Sequence, residues 1–186
     1  MKLKIEEMDW VIWGLFILPL FLLIFYIWGV EEGLLSLFLI PVVIYLKNIF
    51  IEKHFSWDQS YSVGIDKFDE DHKKLFALML KMYKALNKMP GKEEAKEVLV
   101  ELKDYTETHF AREEVLMKKH EYPDYEAHCL QHEEMKKKIN EFQSQFDEED
   151  VSVSKDILHY LENWLIYHIR VTDKQYTDFF NSKGER

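Results

Sequence analysis

Cysteine is almost absent from this chain. Cys129 is the only one, so no intramolecular disulfide can staple the fold. The same scarcity excludes a thiolate-rich zinc or iron–sulfur site, which needs several cysteines. Cys129 follows His128 directly and on a helix points about 100° away from it, as a packed or exposed thiol would. Basic charge is also short: 24 Lys and Arg against 34 Asp and Glu give a formal charge of -10. That balance leaves no electrostatic footprint for nucleic acid, and none is expected as a partner. Residues 1–53 contain no arginine, only Lys2, Lys4, Lys47 and Lys53 against six acids. Strand signals are nearly missing, which points to an all-α protein.

One stretch lacks charge altogether. Trp10 to Val30 is 21 residues of apolar and aromatic side chains. As a helix it covers roughly 31 Å, about one hydrocarbon thickness. Trp10, Trp13, Tyr26 and Trp28 lie toward its ends, where amphipathic rings favour the headgroup zone, and membrane helices tolerate a proline such as Pro19. Glu31, Glu32 and Gly33 interrupt, and a second apolar run from Leu34 to Phe50 meets Lys47 and Asn48. The pair predicts a two-helix transmembrane hairpin anchoring the chain through residues 1–53; a single span with an interfacial segment is the rival. A hairpin places Lys2 and Lys4 on the side of Lys47 and Lys53, so the positive-inside tendency puts the following domain in the cytoplasm, at the cytoplasmic membrane. A cleaved signal peptide fits poorly, because the leader carries Glu6, Glu7 and Asp9. Expected partners are membrane lipid, a membrane enzyme or electron-transfer protein, and a second copy of the chain.

From residue 54 to 186 the pattern is helical. Phe68, Leu75, Phe76, Leu78, Met79, Met82 and Leu86 follow a 3.6-type spacing that predicts a helix over Asp66–Met89, closed by Pro90-Gly91. A second helix is predicted from Glu93 to about His120, and Pro123 separates it from a third over about Asp124–Phe146. Asp147 to Asp150 reads as a solvated acidic turn. A fourth helix then runs from Ser152 or Ser154 to Phe180, with Ser154 able to cap it. Four such helices on short links predict an antiparallel up-down four-helix bundle.

Metal-ligand residue types recur on all four helices: His72, His109 with Glu113, His128 with His132, and His168 with Asp173. The middle pairs are four apart and share a helical face. His168 and Asp173 are five apart, about 140° past a full circle, so Asp173 needs side-chain reach or a locally widened turn. A lone buried histidine is most often structural. Four helices contributing at one level of a bundle instead predict a metal centre, and imidazole with carboxylate suits iron without excluding manganese or zinc. His54, His120 and His159 fall outside the arrangement, as connector, helix-end and surface histidines.

The segments WDQSYSVGIDKFDEDHKKLF, THFAREE, AHCLQHEEM and WLIYHIRVTDKQY resemble the hemerythrin family, especially its bacterial members, over about residues 55–182. The resemblance implies a four-helix bundle with a non-haem diiron site that binds dioxygen reversibly. It implies that His128, His132 and His168 hold one iron, that His72 and His109 hold the other, and that Glu113 and Asp173 bridge both. With an oxo or hydroxo bridge these ligands fill all but one position of two six-coordinate irons, and the vacancy falls on the two-histidine iron. Phe110, Trp164 and Leu165 adjoin the ligands and are expected to line an apolar gas pocket, Trp164 and Leu165 also by resemblance. Such a pocket offers no general acid to cleave a peroxide bond, which favours dioxygen delivery, storage or sensing over catalysis. Two other readings stay open: a diiron oxidase, peroxidase or nitric-oxide-handling enzyme, and an iron sensor or buffer.

Overall fold

The computed structural model of the protein describes residues 39–88, 91–148 and 151–186, preceded by residues 19, 20, 22, 23 and 26. Every regular element among the described residues is helical. The chain divides into two compact units, Met1–His54 and Phe55–Arg186.

In the first unit, α1 spans Leu39–His54. Val42, Ile44, Tyr45, Leu46, Ile49 and Phe50 are all exposed on it. Among the described residues no helix is long and apolar enough to cross a membrane. The predicted transmembrane hairpin is therefore not seen. Most of its first run, Trp10–Val30, and the beginning of its second at Leu34 lie outside the described residues. What is described of the second run is a helix of 16 residues that carries Lys47 and closes on Lys53 and His54. His54 thus ends a helix and is not a connector residue.

The second unit opens with a 3₁₀ turn, Gln59–Tyr61, whose first N–H groups are met by Asp58. Four long helices follow: α2 Asp66–Leu86, α3 Lys92–Lys119, α4 Tyr125–Glu148 and α5 Val151–Tyr167. Each packs on the next and α5 returns to α2, closing an up-down ring. Charge placement assists: Asp66 and Asp69 start α2, Glu93 and Glu94 start α3, and Lys118 and Lys119 end it, each sign complementing the helix dipole. Asp69 also accepts hydrogen bonds from the Val63 N–H and the Ser62 hydroxyl, tying the incoming loop to α2.

Helix ends differ from expectation where local chemistry competes. α2 stops at Leu86, where the Asn87 side-chain amide donates to the Tyr83 carbonyl; the predicted end at Met89 lies outside the described residues, and Asn87 and Lys88 are not helical. Asp147 and Glu148 are the last residues of α4 and not part of a turn. Acids are unfavourable at a helix C-terminus, so the charge pattern misplaced this boundary. α5 starts at Val151, which puts Ser154 inside the helix and not at its cap. Past Tyr167 the coil widens to a π segment, His168–Thr172, tightens to 3₁₀ over Asp173–Tyr176, and ends as α6, Thr177–Ser182.

Two backbone positions carry testable strain. A Cβ built at Gly91 would lie 1.9 Å from the Ala85 carbonyl oxygen, so only glycine fits between α2 and α3. Glu121 ends α3 with φ 53°, a left-handed conformation unfavourable for a side chain with a Cβ. Urea unfolding followed by helicity should show Gly91→Ala destabilised by about 1–3 kcal/mol. Glu121→Gly should be stabilised by up to about 1 kcal/mol. Equal midpoints for Gly91→Ala and the parent would show that the close approach costs nothing.

Candidate metal centre

The register of the four helices brings all seven predicted ligands to one level. None of His72, His109, Glu113, His128, His132, His168 and Asp173 is more than 3% exposed. Their inner atoms form two groups that share a carboxylate, each compact enough for one cation: Glu113, His128, His132 and His168, and His72, His109 and Glu113. Glu113 Oε2 lies 3.6 Å from His109 Nε2, 3.6 Å from His128 Nε2 and 3.3 Å from His132 Nε2. Asp173 reaches both groups as well, with Oδ2 3.4 Å from His72 Nε2 and Oδ1 3.1 Å from His168 Nε2.

Asp173 arrives by way of the widened coil. Its N–H donates to the carbonyl of His168, five residues back, which closes the π segment. That extra residue per turn turns a five-residue spacing into a shared face. Of the two routes open in the sequence, the backbone took the widened turn.

The donor atoms fit a cation. His72 Nε2, Glu113 Oε2, His128 Nε2 and both Asp173 oxygens are buried without a hydrogen-bond partner. Buried polar atoms are rarely left so, and here they converge. His132 Nε2 and His168 Nε2 face each other at 3.2 Å. Glu114 lies 2.8 Å from His132 Nδ1 and fixes the proton there, which leaves the Nε2 lone pair pointing inward.

Without cations the two carboxylates cannot share the site as equals. Burial works against ionising Glu113, but the His109 charge and the close approach of the His128 and His132 rings outweigh it and hold the carboxyl well below its usual range. Asp173 moves the other way: burial, then the Glu113 charge, pushes it well above. Burial also pushes His72 down and His168 well down, so both imidazoles are unprotonated at neutral pH.

Aromatic rings hold the imidazoles from outside. Phe110 stacks on His132 at 3.7 Å and 5°, and Trp164 on His168 at 4.3 Å and 14°. A cavity of about 20 Å³ adjoins this layer, lined by Leu75, Met79, Thr106, Phe110, Met135, Trp164 and Leu165 among others. Its residues sit one helical turn from the ligands: Leu75 and Met135 three after His72 and His132, Thr106 and Leu165 three before His109 and His168. The structure thus brings Phe110, Trp164 and Leu165 together beside the centre. Cys129 stands apart, half-buried and hydrogen-bonded with Tyr125, as do His120, paired with Glu185, and the partly covered His159.

Sequence reasoning missed four side chains that support the ligands. Tyr176 donates from its hydroxyl to Glu113 Oε1 at 2.5 Å. Asp71 sits 3.6 Å from His109 Nδ1, held by the Arg112 guanidinium at 2.7 and 2.8 Å. Glu114 meets His132, as above, and Trp57 lies over His72 with ring centres 6.4 Å apart. Position offered a signal for three of them: Asp71 precedes His72, Glu114 follows Glu113, and Tyr176 is three past Asp173.

Loading the centre should expel a proton from Asp173, because burial and the Glu113 charge raise its carboxyl in the metal-free cluster while a bound cation favours the carboxylate. Metal affinity should therefore rise with pH until Asp173 ionises unaided. Calorimetry in buffers of different ionisation heat measures that release. Asp173→Asn should bind more weakly and lose most of it; an unchanged proton count would assign the proton elsewhere.

The sequence and fold comparisons agree with this geometry. Residues 63–179 match the family model described as Hemerythrin HHE cation binding domain. The chain is 30% identical to a bacteriohemerythrin of Clostridium acetobutylicum over 67% of this chain and 99% of that protein. It is 32% identical to a myohemerythrin of Theromyzon tessulatum over 68% of this chain and 93% of the relative. A solved wild-type hemerythrin superposes with a TM-score of 0.62 at 27% identity, over 66% of this chain and 95% of that one. The chain belongs to the hemerythrin family of cation-binding domains.

Proposed function

We propose that residues 54–186 hold a non-haem diiron centre that binds dioxygen reversibly, and that residues 1–53 keep it at a membrane. The carrying observation is a buried set of five imidazoles and two carboxylates, with unpaired donor atoms converging beside a small apolar cavity. His128, His132 and His168 would hold one iron, His72 and His109 the other, and Glu113 and Asp173 both, together with an oxo or hydroxo bridge. An iron pair so held would supply the two electrons that reversible dioxygen binding borrows.

The protein's own residues do the rest. Phe110 and Trp164 clamp two ligand imidazoles, so the ring planes stay fixed as charge changes. Leu165 and Leu75 close the cavity, which at about 20 Å³ has room for one small molecule. No carboxyl, imidazole or amine lines it. Tyr176, the nearest buried phenol, donates to Glu113, and burial, then the Asp173 charge, pushes its hydroxyl well above the usual range. It keeps its proton. A site without a ready acid favours release of the bound gas over cleavage.

Membrane attachment rests on the uncharged run Trp10–Val30 and on the exposed apolar side chains of α1. The four lysines of residues 1–53 favour a cytoplasmic position for the diiron domain. Delivery to a membrane enzyme, storage and sensing all remain uses of one reversible site.

Anaerobically reduced protein should develop a visible absorption in air, lose it on deoxygenation, and recover it on re-exposure. His109→Ala should abolish it, and failure to recover in the parent would remove reversible binding. In Leu165→Ala, iron content should stay near that of the parent while the air-exposed form decays several-fold faster to an inert oxidised state; unchanged decay at normal iron content would end the protective role of Leu165.

The full chain should sediment with membranes and resist extraction by high salt and alkaline carbonate. Protease added to right-side-out cells should leave the domain intact. Quantitative release by salt would reject the anchor.

A further inference from the structure

Among the described residues, two of the five imidazoles turn their outer nitrogen toward a carboxylate, and the two carboxylates differ in kind. Asp71 is fully buried; its charge is taken up by Arg112 at 2.7 and 2.8 Å and by the Tyr105 hydroxyl at 2.8 Å. At 3.6 Å from His109 Nδ1 it lies beyond hydrogen-bond length. Glu114 is 2.8 Å from His132 Nδ1, with its side chain 23% exposed, and the cation its charge acts on is Lys136, with no guanidinium bound to it among the described residues.

An anionic acceptor on the outer nitrogen makes an imidazole a stronger donor through the inner one, and so favours the higher charge state of a bound metal. Here the inner atom is His132 Nε2, 3.3 Å from Glu113 Oε2 and 3.2 Å from His168 Nε2. Phe110 stacked at 3.7 Å prevents the ring from swinging away from Glu114. His168 offers the contrast: its outer Nδ1 is buried with no hydrogen-bond partner, and Trp164 stacking alone sets its plane. Donor strength is thus unevenly distributed within one half-site.

Resting on the diiron reading above, we infer that Glu114 is a positioning residue for the three-histidine iron: it fixes the His132 tautomer and its charge biases that iron toward the ferric state. Binding that borrows electrons from the irons strengthens as the ferric state is favoured. Glu114 therefore sets how tightly dioxygen is held, from outside the gas cavity.

The test is a redox titration of the iron-loaded full chain beside its iron content. Glu114→Gln keeps an oxygen that accepts the His132 proton but removes the charge. It should retain the parent's iron and raise the ratio of reduced to oxidised iron at a fixed potential about tenfold, equivalent to about 59 mV for a one-electron couple. Glu114→Leu, with no acceptor, should shift the same way and also lose iron. Glu134→Gln, an exposed acid on α4 two residues past His132, controls for overall charge. An unmoved potential in Glu114→Gln, an equal shift in Glu134→Gln, or loss of iron from Glu114→Gln would each overturn the inference. A parent that takes up no iron, or shows no air-reversible absorption, instead rejects the diiron dioxygen reading, before any variant is made.

Discussion

Two carboxylates are buried in one apolar bundle, and they cannot both be ionised there unless cations lie between them. Taking a charge from water into such an interior costs several kcal/mol even after relaxation. Glu113 and Asp173 show the consequence by moving in opposite directions, one drawn below its usual range by the surrounding imidazoles and the other pushed above it by burial and its neighbour's charge. The widened coil at His168–Thr172 sets the face on which Asp173 lies. It places Asp173 opposite Glu113, and the donors around them are left without hydrogen bonds. The bundle is built to be completed by positive charge.

The two sides of the ligand layer are chemically different. On the side toward the α2–α3 connection lie Leu75, Met79, Met135 and Leu165, with a small cavity. On the other, the Tyr176 hydroxyl reaches Glu113. The apolar cavity thus lies on one face of the layer, while the carboxylates are steered from another. Asp71 and Glu114 approach from the outer edges, through the rings they meet. The cavity lining, the contact on Glu113 and the contacts on the outer ring nitrogens thus fall to separate side chains.

Much of this was legible beforehand because helical periodicity is a local property. The spacings of His109/Glu113 and His128/His132 put each pair on one face, and the apolar frame of Leu75, Met79, Met82 and Leu86 announced a bundle. Helix ends were less legible. Asn87 halts α2 through a side-chain hydrogen bond, and Asp147 and Glu148 continue α4 against the dipole rule, with only two residues left before α5 begins. The apolar run after Leu34 suggested a membrane span, yet the helix described there is too short and carries Lys47.

The sequence by itself determined the element types and the donor inventory, since both follow from residue identity and near-neighbour spacing. It also determined that no thiolate site could form. Only the tertiary structure decided which carboxylate would keep its proton, that the coil would widen after His168, and that Glu114 and not Asp71 would bind an imidazole closely. Those outcomes depend on distances between helices far apart in sequence, and on water excluded from the space between them. Electrostatic energy is set by that exclusion, and no local pattern records it.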